Sequence, residues 1–191
     1  MLILILGLFL FLGVHSFTMS RRWRAWAIDK VGLRYYKFSY MAKSFIGLGL
    51  IIWGFIRYRH AGMITVWNPP YVLHYLNFVL MWLAIVSLFS IGPNPSKIRG
   101  WVRHPMITAV KFWALAHLLV NGDLGGMLLF GSFLAWAVAD RISLKKRGDY
   151  GAPRHKKFTQ ADLQAVALGS AIYGITIFLH PYLFGVVAMT W

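Results

Sequence analysis

Six apolar stretches, each close to the length that crosses a bilayer, leave this chain few ways to fold. A membrane-spanning helix needs roughly 20 mostly apolar residues, with a range of about 17 to 25. The stretches run over residues 2–19, 38–56, 71–91, 105–120, 124–139 and 163–187. Residues 1–20 contain no Asp, Lys or Arg, and the whole chain contains no Glu. Backbone N–H and C=O groups in hydrocarbon must be satisfied within the segment, which leaves helices as the economical solution. The expected fold is therefore all-α: a polytopic membrane bundle of six transmembrane helices.

Composition removes the competing classes. Of 191 residues, 59% are hydrophobic and only 13% charged, against about a quarter charged in soluble domains. No connection between stretches is long enough to fold alone, so residues 1–191 read as a single integral-membrane domain. The net charge of +15 comes from 20 Lys and Arg against 5 Asp. In a chain this apolar, such an excess faces anionic lipid rather than nucleic acid. There is no Cys, which removes disulfides, thiolate ligands and cysteine nucleophiles. The opening stretch has no positive charge before it, whereas Arg21, Arg22 and Arg24 follow it. It reads as a retained helix rather than a cleaved signal.

Basic residues in short loops orient a membrane protein. The first, third and fifth connections with their borders hold seventeen Lys and Arg. The opposite side holds Arg57 and Arg59, and Lys111 lies inside a span. The expected topology has both termini outside, in a bacterial inner (cytoplasmic) membrane.

Ionisable groups at membrane depth are costly, which makes them functional candidates. His15, His74, His104, His117 and His180 all fall in or at the ends of spans, while His60 and His155 fall in loops. A lone intramembrane histidine is usually a hydrogen-bonded packing residue. Five in six spans, in a chain without Glu or Cys, point to an imidazole-ligated metal, and haem takes such ligands. The fourth stretch concentrates the polar groups: Arg103, His104, Lys111 and His117. Lys111 returns under His104 while His117 points about a third of a turn away, so this helix is expected to be central. Lys111 has two readings of equal weight. It snorkels to the cytoplasmic headgroups, or it pairs with Asp140 or a cofactor carboxylate.

Several strings are distinctive. Gly13-Val14-His15-Ser16 ends the first stretch, and Trp67-Asn68-Pro69-Pro70 precedes His74. His104-Pro105-Met106 leads into Lys111-Phe112-Trp113-Ala114-Leu115-Ala116-His117, followed by Asn121-Gly122-Asp123. Phe133-Leu134-Ala135-Trp136 leads into Asp140-Arg141-Ile142-Ser143. With these the whole chain resembles the NnrU family of bacterial membrane proteins, which is associated with denitrification. That family is similar to the haem-b-dependent zeta-carotene isomerase. The resemblance implies a haem b, with His15 and His117 as iron ligands; by their charge, Arg103 and Lys111 are candidates to pair with its carboxylates. Where the isomerase carries a cysteine three residues before the second ligand, this chain has Ala114, so thiolate ligation is unavailable.

From the drawn boundaries, His15 lies about 6 Å and His117 about 18 Å from the cytoplasmic edge. An inner site from His15 with His104, and an outer one from His117 with His74 or His180, therefore stand as alternates, for one haem or two. The implied partners are membrane lipids, a quinone, carotenoid-like or gaseous ligand, and respiratory reductases. Two further readings remain. One is a methyltransferase-like scaffold without methyl transfer, from Arg103-His104-Pro105 in a chain that lacks the glutamate of that class; the other is a non-catalytic assembly or regulatory factor for nitrite and nitric oxide reductases. The residues leave open whether the chain is an enzyme.

Overall fold

A computed structural model describes residues 1–188. Among these the regular elements are eight α-helices. They are α1 (Leu2–Met19), α2 (Arg21–Val31), α3 (Leu33–His60), α4 (Val72–Phe89), α5 (Lys97–Val102), α6 (Pro105–Val120), α7 (Leu124–Lys146) and α8 (Gln160–Phe184). Five of them, α1, α3, α4, α7 and α8, are long and apolar enough to cross a membrane, and α6 is a shorter apolar helix.

The long helices do not follow the chain in space. They pack in the order α3, α1, α7, α6, α4, α8, each on the next, as a single row. The free edges of the row meet at one end, where Arg59 Nη1 of α3 donates to the carbonyl of Phe184 in α8 at 2.7 Å. An open row exposes more than a globule does. The surface of 12166 Å² exceeds the roughly 9,300 Å² expected of a folded soluble monomer of 21.8 kDa. The exposed side chains include Phe9, Phe45, Trp53, Val79 and Phe178, which suit lipid rather than water.

Glycines bring the first two long helices together. A Cβ on Gly7 would come within 2.6 Å of the Ile51 nitrogen, and one on Gly47 within 2.8 Å of the Phe11 nitrogen. One on Gly54 would collide with the Leu4 backbone. Small residues at such crossings let helix backbones approach where lipid offers no hydrophobic drive. At that crossing, Leu4, Leu8, Ile51, Leu129 and Phe130 form a buried cluster joining α1, α3 and α7.

Four features differ from the sequence reading. The second stretch, drawn as 38–56, is a 28-residue helix from Leu33 to His60. His60 therefore ends a helix instead of lying in a loop. The fifth runs to Lys146 rather than stopping at Ala139. The sixth occupies Gln160–Phe184 rather than 163–187. An apolar window marks only what hydrocarbon covers, and a helix continues past it until a cap or turn residue stops it. The first connection is itself the helix α2, begun by Ser20, whose hydroxyl accepts from the Trp23 N–H, and ended by Gly32 at φ 79°. Its Arg-rich, Trp-bearing composition is that of helices lying at headgroup level.

Loops pin the bundle at both ends of its helices. At one, the Gly122 carbonyl accepts from the N–H groups of Val66 (2.8 Å) and Trp67 (3.1 Å), and Leu124 N donates to Ile64 O at 2.8 Å. The loop before Trp67-Asn68-Pro69-Pro70 is thereby fastened to the turn between α6 and α7. At the other end, Asp162, only 2% exposed, accepts from Ser96 Oγ (2.6 Å), Ile98 N (2.8 Å), Lys97 N (3.0 Å) and Thr159 N (2.8 Å). One carboxylate thus caps α5 and α8 together.

Candidate functional site

Four of the five membrane histidines set Nδ1 against a backbone carbonyl; among the described residues His104 does not. His15 Nδ1 lies 2.7 Å from the carbonyl of Phe11, and His117 Nδ1 lies 2.9 Å from that of Trp113, each four residues earlier on its own helix. His74 Nδ1 is 3.2 Å from Tyr71 O, and His180 Nδ1 is 2.8 Å from Val186 O. A carbonyl only accepts, so Nδ1 must carry the proton. In the neutral ring, the remaining lone pair then belongs to Nε2. Locking Nδ1–H on a backbone carbonyl is how metal-ligating histidines are usually oriented.

Aromatic rings hold both central imidazoles. His15 sits against Phe11 (4.2 Å between centroids), Tyr40 (5.3 Å) and Trp136 (5.8 Å). His117 stacks on Phe130 at 4.6 Å, with Trp113 at 5.5 Å. The two imidazoles do not touch. A run of rings joins them, from Phe11 to Phe133 (5.7 Å) and from Phe133 to Trp113 (5.4 Å). The row places α7 between the helices that carry them.

A second polar group gathers where α1 and α7 end and α6 begins. The chain turns sharply at Arg103 (φ 60°, ψ −49°), where the Val102 carbonyl accepts from His104 N at 2.7 Å. This is the positive-φ γ-turn, rare and strained for a residue with a side chain. Ala152 N donates to Arg103 O at 2.8 Å. A Cβ on Gly151, at φ +77°, would collide with that same carbonyl and come within 2.7 Å of His104 Nε2. Among the described residues His104 Nε2 is buried without a hydrogen-bond partner, and its nearest acid is Asp149 Oδ1 at 3.8 Å. Asp140 lies within electrostatic reach of His104, Asp149, Arg147 and His15.

The proposed site residues thus fall at two levels. His15 and His104 share the field of Asp140 at one, and His117 has His180 as an electrostatic neighbour at the other. His74 stands apart at the start of α4, stacked on Tyr71. The charged neighbour of Lys111 is another cation, Arg141. Arg103 contributes its strained backbone but no side-chain hydrogen bond among the described residues.

A family model described as NnrU protein matches residues 3–188. The chain belongs to the NnrU family. Comparison with curated proteins and with solved structures finds no significant match. Family and helices together describe a multi-pass membrane protein.

In this NnrU chain the donor set can be tested against haem. Among the described residues no three His, Asp or Glu side chains come together as a metal site would require. Zinc and di-iron sites draw three or more ligands from the protein, whereas haem iron takes four nitrogens from porphyrin and needs only one or two axial ligands. Single imidazoles with Nε2 free suit that requirement. Sequence reasoning missed the surroundings of His15: Trp136 Nε1 beside it and Tyr36 Oη, one turn before Tyr40, are buried without partners among the described residues. Nothing in a string of residues tells which indole or phenol will lack an acceptor.

Proposed function

We propose that this NnrU protein is a six-span protein of the bacterial cytoplasmic membrane, with both termini outside, that binds haem b through the Nε2 atoms of His15 and His117. His104, His180 and His74 are the alternate ligands. The observation that carries this reading is the pair of Nδ1–H bonds to the carbonyls of Phe11 and Trp113, which present an unprotonated Nε2 at each ring. Bound haem would supply one-electron redox change where two imidazoles serve one iron, and a position for a gas such as nitric oxide where one does, either in keeping with a denitrification-linked role.

The chain's own contributions are separable. The i−4 bonds hold each imidazole in one tautomer. Phe130 and Trp113 around His117, and Phe11, Tyr40 and Trp136 around His15, keep water from the rings. Arg103 and Lys111 would offer positive charge to the cofactor's carboxylates. The open row leaves room for an apolar ligand such as a quinone or carotenoid-like molecule to arrive from lipid.

The test is an absorption spectrum of detergent-purified protein, oxidised and dithionite-reduced, with haem counted per chain. A Soret band with sharp reduced α and β bands is expected. If both imidazoles serve one iron, His15→Ala and His117→Ala each lose all of it; if they serve two, each loses half. Retention of the spectrum by both variants, with loss in His104→Ala or His180→Ala, reassigns the ligands. A colourless protein that takes S-adenosylmethionine would replace this reading with the methyltransferase-like one. A colourless protein without any ligand would leave the assembly-factor reading.

A further inference from the structure

The ends of α1 and α7 and the start of α2 enclose a cleft of about 460 Å³, within the range of small-ligand sites. Three cations line it, Arg21, Lys146 and Arg147, and none forms an ion pair among the described residues. Ser20 and Ser143 add hydroxyls to the same rim. The floor is apolar, made by Ala139 and Ile142 on the side of α7 that continues toward the hydrocarbon.

The electrostatics of this corner are mixed, and the balance is informative. The carbonyl ends of α1 and α7 both point here and disfavour an anion, each amounting to about half a negative charge. Arg147 offsets one of them directly, since its Nη1 donates to the Met19 carbonyl at 2.6 Å. Its Nε is buried and has no partner among the described residues. The first-turn N–H groups of α2 open at the same place; that of Trp23 is taken by Ser20 Oγ and that of Arg24 by Ser20 O, which leaves those of Arg21 and Arg22. Arg21 and Lys146 are exposed and add two full charges. Asp140, next to Ala139 and within electrostatic reach of Arg147, sets one negative charge against these three cations, and the sum is still a concave, net positive site with free donors and an oily floor.

We infer that this cleft binds the phosphate headgroup of an anionic membrane lipid, with an acyl chain lying along Ala139 and Ile142. Phosphate is the shared chemistry. A lipid is favoured over free phosphate because the floor is apolar and the site stands at the ends of two helices fit to cross a membrane. Basic pockets between helices at the cytoplasmic surface are a recurring form of lipid recognition. This inference does not depend on haem.

The experiment uses the full chain purified in a neutral detergent. Phosphatidylglycerol, phosphatidylcholine and inorganic phosphate are titrated separately while the thermal midpoint is followed, and retained lipid is counted by native mass spectrometry. Phosphatidylglycerol should raise the midpoint and be retained at one molecule per chain, with phosphatidylcholine and inorganic phosphate inert. In the double variant Arg21→Gln/Lys146→Gln, affinity should fall by about fivefold per cation removed. Both residues are exposed, so the variant should fold normally, whereas Arg147→Gln also loses the tie to Met19. An equal response to inorganic phosphate would overturn the lipid assignment. An equal response to phosphatidylcholine, or none lost in the double variant, would overturn the site.

Discussion

Ser96 Oγ donates to Asp162 Oδ1 at 2.6 Å across 66 residues of sequence, and that bond fastens the start of α5 to the first turn of α8. The same carboxylate satisfies three backbone N–H groups. Asp162→Ala would leave all of these donors short of an acceptor in a buried place, at about 1–3 kcal/mol each before relaxation. We expect it to be among the most destabilising single substitutions in the chain, lowering the thermal midpoint in detergent. Asp162→Asn should also destabilise, because its NH₂ would face donors. A midpoint unchanged by either would refute the role given to this cap.

The glycines of α1 and α3 predict a contrast. Gly54→Val or Gly47→Val would push side-chain atoms into the backbone of Leu4 or Phe11, costing about 1–3 kcal/mol or more. Gly13 sits on the same α1 helix with nothing within 4 Å of its would-be Cβ. Gly13→Ala should therefore be neutral or stabilising by up to about 1 kcal/mol, as helix propensity dictates. Thermal melts of the three variants decide the matter, and equal losses would show that close approach is not what these glycines provide.

Arg103 holds a backbone conformation that costs about 1–3 kcal/mol for a residue with a Cβ. Arg103→Gly relieves it, against roughly 0.5–1 kcal/mol for the extra freedom of the unfolded chain. A net gain of about 1 kcal/mol in stability is expected. Should haem content fall while stability rises, the guanidinium serves the cofactor; a loss of stability would show that the side chain has a structural role instead.

Gly151→Ala tests the same turn from the other side. The added methyl meets the Arg103 carbonyl and His104 Nε2, at a residue with φ +77°. It should destabilise by about 1–3 kcal/mol and displace His104 from Asp149. Loss of any His104-dependent spectral feature in Gly151→Ala, without loss of His117-dependent ones, is the expected pattern.

The six-span topology has a simple check, because the chain has no cysteine to give background labelling. Between Met63 and Lys156 lie α4, α6 and α7, so the two exposed positions face opposite sides only if α6 crosses. An impermeant maleimide should label Met63→Cys from outside and Lys156→Cys only after permeabilisation. Labelling of both from outside would show that α6 does not span.

Much of this protein was legible as a string. The apolar runs placed every long helix, because hydrocarbon demands local satisfaction of the backbone and so makes length and apolarity sufficient signals. Gly32, Ser20 and Asp162, which start and stop helices, carried recognisable capping chemistry, yet the helix α2 and the full extent of α3 and α7 went unread. Polar helix in the headgroup region has no hydropathy mark. The histidines stood out by type and depth, and the strings around them carried the family.

What only the tertiary structure decided is which neighbours those residues meet. The packing order α3, α1, α7, α6, α4, α8 sets α7 between His15 and His117, fills the interval with Phe11, Phe133 and Trp113, and brings His104 to Asp149. It also puts Lys111 beside Arg141 instead of an acid. Helix formation is a local bargain that each segment settles with lipid on its own. The order in which helices pack depends on glycine clearances and loop ties between residues far apart in the chain, and no local pattern encodes it.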